Sequence, residues 1–74
     1  MLTYVFDGQA LRRHRKDRAL RVEELSSLVG CSVKTLWFYE SGRTIPSATM
    51  VGRFAAELGC DPGDLFRLHQ RVPA

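Results

Sequence analysis

The sequence predicts an all-α fold, one compact domain over residues 1–74 built from five short helices. Three observations carry that expectation. Apolar residues recur three and four apart, as a helix with one buried stripe requires, in Val22, Leu25, Leu28 and Val29 and again in Val51, Phe54, Ala55 and Leu58. Gly30, Gly42 and Gly59 each close a helical stretch, where the chain leaving a helix favours positive φ. Asp7, Ser32, Ser47 and Asp61 stand where an oxygen-bearing side chain satisfies the free N–H groups that open a helix.

In chain order, the Asp7 cap predicts a first helix from Gly8 to Arg18, with Leu11 its main apolar position among many charges. Val22 to Val29 forms a short second helix that Gly30 stops. Ser32 starts a third, which runs to about Ser41. Pro46 and Ser47 open the fourth, and Asp61 followed by Pro62 opens a fifth, because proline at the first helical position forfeits no hydrogen bond. Asp64 suits the positive end of that helix's dipole, and Leu65, Phe66 and Leu68 are expected to turn inward. Met1 to Phe6 alternate weakly in polarity and fit either a short strand or an extended arm lying across the body.

A chain of 74 residues supports one core and little more. Cys31 and Cys60 each follow a glycine and read as small buried plugs with reduced thiols, too few and too far apart for a zinc site. His14 and His69 have no second ligand at metal spacing, so neither a metal nor a cofactor is expected. No apolar run is long enough to cross a bilayer and no secretory segment opens the chain, which predicts a soluble cytoplasmic protein. The net charge is +3, and the excess lies ahead of Pro46, where eight Lys or Arg face five acids, against three and three beyond it. A basic excess placed this way suits a polyanionic partner. With no phosphate-cradling glycine loop, no paired carboxylates and no activated nucleophile, enzymatic activity is not expected.

The second and third helices, over about residues 22–41, are separated by a very tight turn containing glycine. That is the arrangement that pushes one helix into a DNA major groove. On a helix starting at Ser32, Leu36, Tyr39 and Glu40 share one side, and Val33, Lys34, Trp37 and Phe38 share another. The first side suits the protein interior. The second suits base edges, with Lys34 on guanine acceptors and Val33, Trp37 and Phe38 on thymine methyls.

Residues Leu11 to Phe66 resemble the lambda-repressor-like, Cro-type helix-turn-helix proteins of the xenobiotic-response-element family. The match is carried jointly by Leu11 and Arg15, Glu24-Leu25, Gly30-Cys31-Ser32, Tyr39-Glu40-Ser41-Gly42, Arg43, Pro46-Ser47, Ala55, Leu58-Gly59 and Leu65. The resemblance implies five helices, base reading by the third and a homodimer on a palindromic operator, hence a double-stranded-DNA-binding transcriptional regulator, in the first place a repressor. It also implies a buried ion pair between Arg15 and Glu40, since an acid on the inward side of the third helix needs a cation. Backbone phosphates are expected on Arg43 and Thr44, on Ser32 and Thr35 at the start of the third helix, and on Arg21 and Val22 at the start of the second. Arg21 and Val22 depart from the family, whose members usually carry a Ser or Thr cap followed by glutamine there. Trp37-Phe38 departs as well, and three readings stay open: thymine contacts, partial packing into the domain, or a protein-binding patch. With no sensing domain in the sequence, regulation would rest on concentration, dimerisation or another protein, and bound molecules would sit on the nucleoid. Dimer contacts are expected from Leu65, Phe66, Leu68 and Val72, or from the arm at Leu2, Tyr4 and Phe6. The rival reading is a repressor-fold interaction module, an antitoxin or anti-repressor, that uses Trp37 and Phe38 on a protein.

Overall fold

A computed structural model describes residues 1–70 of the chain. Its core is one cluster of Leu11, Leu25, Val29, Leu36, Val51, Phe54, Ala55, Leu58 and Leu65, drawn from every helix among the described residues. In order, the elements are strand β1 (Leu2–Phe6), helices α1 (Gly8–Asp17), α2 (Val22–Val29), α3 (Val33–Ser41) and α4 (Ala48–Leu58), a 3-10 turn (Pro62–Leu65) and strand β2 (Phe66–Gln70). Asp7 accepts from the N–H groups of Gln9 and Ala10, Ser32 from Thr35 and Ser47 from Met50, so three of the four expected starts are capped as the sequence implies. Gly30 and Gly42 leave α2 and α3 at φ 80° and 81°, a conformation costly for any residue with a Cβ.

The expectation of an all-α, five-helix fold is corrected. Among the described residues there are four α-helices and a two-stranded antiparallel sheet. The segment opened by Asp61 and Pro62 makes only a 3-10 turn, after which Phe66 is already extended at φ −119°, ψ 157°. Phe66, Arg67, Leu68 and His69 alternate apolar and polar with a period of two, and strand β1 from the other end of the chain supplies the partner, pairing Tyr4 with Leu68 and Phe6 with Phe66. Of the three side chains expected inside, Leu65 is fully buried, whereas Phe66 and Leu68 lie on the sheet and remain exposed. Residues 2–6 resolve to the strand rather than an arm. Val72 lies outside the described residues.

Leu28 is also corrected, from the buried stripe to the surface. At roughly 100° per residue it is turned about a third of a revolution from the line through Val22 and Val29. Ser26 takes the inward place, its hydroxyl donating to the Glu23 carbonyl at 3.0 Å. Cys31 and Cys60 are half-buried free thiols packed against the core, and desolvation pushes both up from the ordinary thiol range, away from reactive thiolates.

Candidate nucleic-acid interface

Two constraints fix the roll of α3 about its axis. Leu36 is fully buried, and Tyr39 meets Phe54 of α4 edge-to-face at 5.9 Å between ring centres. One turn on, Glu40 takes a bidentate grip from Arg15 of α1, with Nε to Oε2 at 2.7 Å and Nη2 to Oε1 at 3.1 Å, while Nη1 donates to the Leu20 carbonyl at 2.9 Å. Both side chains are about nine-tenths buried, so this ion pair is the buried tie between α1 and α3 that the sequence implies. A second device was missed by the sequence reading. Gly8 at the start of α1 lies so close to the carbonyls of Tyr39 and Glu40 that a Cβ there would overlap backbone. The signal was present only as a glycine at a helix start, where many residues serve.

With Leu36, Tyr39 and Glu40 held inward, the opposite side of α3 faces out. Lys34 is exposed, Val33 and Phe38 are half-buried, and Trp37 is 56% exposed. The structure divides these four. Phe38 sits with two cations over its ring, Lys34 Nζ at 5.6 Å and the Arg43 guanidinium carbon at 5.0 Å from the centroid. The negative face of an aromatic ring holds such charges in place. The Phe38 carbonyl also anchors the loop that follows, accepting from the N–H groups of Gly42 and Arg43 and from the Ser41 hydroxyl. Trp37 turns the other way, into a hollow shared with Arg12, Arg15, Val22, Glu40 and Ser41. At 56% exposure Trp37 stands outside the core cluster.

The residues expected at phosphates are all at the surface or half-buried, on the ends of elements. Ser32 and Thr35 are joined hydroxyl to hydroxyl at 2.8 Å as part of the α3 cap. Arg43 and Thr44 are exposed in the loop after α3. At the start of α2, arginine has no acceptor with which to cap, and Glu24 instead accepts the Arg21 N–H at 3.0 Å and its Nε at 3.2 Å. The backbone N–H and the guanidinium of Arg21 hold the Glu24 carboxyl below the usual carboxylate range. The remaining N–H groups of that first turn have no side-chain cap.

A family model described as a helix-turn-helix domain matches residues 8–68. The chain belongs to that family. Among solved structures it is similar to the restriction-modification controller protein C.AhdI from Aeromonas hydrophila, at 30% identity over 80% of this chain and 89% of that one, with a TM-score of 0.75. It is similar to the P22 c2 repressor, solved in complex with a synthetic operator, at 28% identity over 78% of this chain and 88% of that one, with a TM-score of 0.75. These neighbours give this helix-turn-helix chain a Cro- and repressor-like fold. It also resembles part of HppE, solved in complex with substrate, at 28% identity and a TM-score of 0.75 over 81% of this chain but only 34% of that one. No curated protein matches the sequence. No helix among the described residues is long and apolar enough to cross a membrane.

Proposed function

We propose that this helix-turn-helix chain is a sequence-specific regulator that binds duplex DNA, a Cro-like repressor that occupies operator sites. The observation that carries the reading is the division of α3 into a side locked to the domain by the Arg15–Glu40 pair and an outward side bearing Lys34, with Phe38 and Arg43 alongside. In this reading Lys34 donates to guanine O6 and N7, and Val33, Trp37 and Phe38 meet thymine methyls. Arg43 and Thr44, Ser32 and Thr35, and Arg21 with the Val22 N–H take phosphates and set the register without reading sequence. That the similar P22 c2 repressor is solved in complex with a synthetic operator supports duplex DNA as the partner.

The regulator would act as a homodimer on a palindromic site, its two copies of α3 about 34 Å apart so as to meet successive major grooves. The exposed apolar face of the sheet, Leu2 and Tyr4 on β1 with Phe66 and Leu68 on β2, is the proposed contact. Leu65 is withdrawn from it, being fully enclosed in the core.

Selection of bound sequences from a random duplex pool tests the reading. An enriched palindrome that weakens or changes with Lys34→Ala supports it, and no enrichment by folded protein at low salt refutes it. The exposure of Trp37 favours one rival, a protein-binding module. Salt separates the two, because a groove binder loses affinity steeply as salt rises, and an aromatic protein contact does so far less.

A further inference from the structure

The sheet has two chemically different faces. Its register puts Leu2, Tyr4, Phe6, Phe66 and Leu68 on one and Thr3, Val5, Arg67 and His69 on the other. The second face forms a wall of a groove of about 740 Å³, opposite Gln9 and Arg12 of α1, Ser41 at the end of α3, and Gly42, Thr44 and Ile45 after it. Arg12, Glu40 and Ser41 also line the hollow beside Trp37, so the groove continues from α3 to the sheet. Of its five ionisable residues, two are occupied. Glu40 is held by Arg15, and Asp7 caps α1 and lies 4.0 Å from Arg13. Arg12, Arg67 and His69 remain, all exposed and without an ion pair among the described residues.

We propose that this groove is a second DNA contact, taking the sugar-phosphate backbone that flanks the base pairs read by α3. Arg12 and Arg67 neutralise phosphates there, and the His69 imidazole donates a hydrogen bond. The assignment rests on α3 being the DNA reader, since the groove is continuous with its exposed side. A strand of duplex offers a phosphate about every 3.4 Å, so a run of basic side chains on separate elements tracks a backbone. No base edge is needed, and the contact adds affinity and footprint without adding sequence preference.

The test compares the full chain with Arg12→Ala, Arg67→Ala and the double variant on the selected duplex, with long and with trimmed flanks. Thermal melting verifies that each variant is folded. Each substitution is expected to lower the slope of log affinity against log salt by about 0.9 per bound chain, and the pair by about 1.8 per chain, hence about 3.6 for a dimer. Between about 50 and about 200 mM salt, the double variant's fall in affinity is then about twelvefold smaller than the wild type's per bound chain, and about 150-fold smaller for a dimer. The enriched sequence stays the same, and trimming the flanks weakens the wild type but not the double variant. If the wild type enriches a sequence and the folded double variant keeps its slope and flank dependence, the groove assignment fails alone. A changed enriched sequence at an unchanged slope overturns it too, by making these residues base readers. If the wild type enriches nothing, both readings fall.

Discussion

The two sides of α3 are held by different kinds of force. Inward, Leu36, Tyr39 and Glu40 are fixed by burial, an edge-to-face ring contact and a two-point ion pair. Outward, the exposed Lys34 and Arg43 side chains are steadied by their attraction to the Phe38 ring. A buried charge pair tolerates no missing partner. An exposed cation over an aromatic ring contributes about 0.5–1 kcal/mol, so it directs a side chain without holding up the fold. Stability and recognition should therefore separate cleanly by residue on this one helix.

The largest expected effect tests the inward side. Glu40→Ala strands the Arg15 guanidinium in a nearly dry site and should cost about 3–5 kcal/mol, lowering the thermal midpoint by well over about 10 °C. A midpoint unchanged by calorimetry would remove the ion pair from the account. Gly8→Ala comes next, and its sign is diagnostic. In an ordinary helix alanine is favoured over glycine by about 1 kcal/mol, but here the added methyl meets the Tyr39 and Glu40 carbonyls, so a net loss of about 1–3 kcal/mol is expected. Stabilisation would mean that α1 and α3 are less closely apposed.

On the outward side, Lys34→Ala should leave the midpoint within about 0.5 kcal/mol of wild type. It should also reduce discrimination at one base pair by about 1–3 kcal/mol, read by competition binding against single-base variants of the selected site. An equal loss on every sequence would reassign Lys34 to phosphate. The smallest effect lies between α1 and α2, where Ala19 is held at φ 56° with no interaction that requires alanine. Relief of left-handed strain, less the extra unfolded-state freedom of glycine, predicts that Ala19→Gly stabilises by about 0.5–1 kcal/mol with DNA binding unchanged. A destabilised variant in urea melts would contradict that.

The helical punctuation and the Arg15–Glu40 pair were legible because they rest on local spacing or on a motif shared with similar proteins. Ser32, Ser47, Gly30 and Gly42 act on groups within one turn of themselves, so their roles are written in adjacent letters. The split between Trp37 and Phe38 was not legible. Both fall on the broad outward arc of α3, and only the packing of α1 and of the loop after α3 decides that one turns toward Val22 and Arg12 and the other toward Arg43.

By itself the sequence determined four of the five helices it implied, their starts and stops, and which residues of α3 share a side, because capping and amphipathic periodicity act over a few residues. Only the tertiary structure decided the fate of the two ends. Leu2–Phe6 and Phe66–Gln70 are each too short to be stable alone, and they become a sheet because the core brings residues some sixty positions apart into register. The same closure places Arg67 and His69 across a groove from Arg12, a juxtaposition that no local pattern encodes.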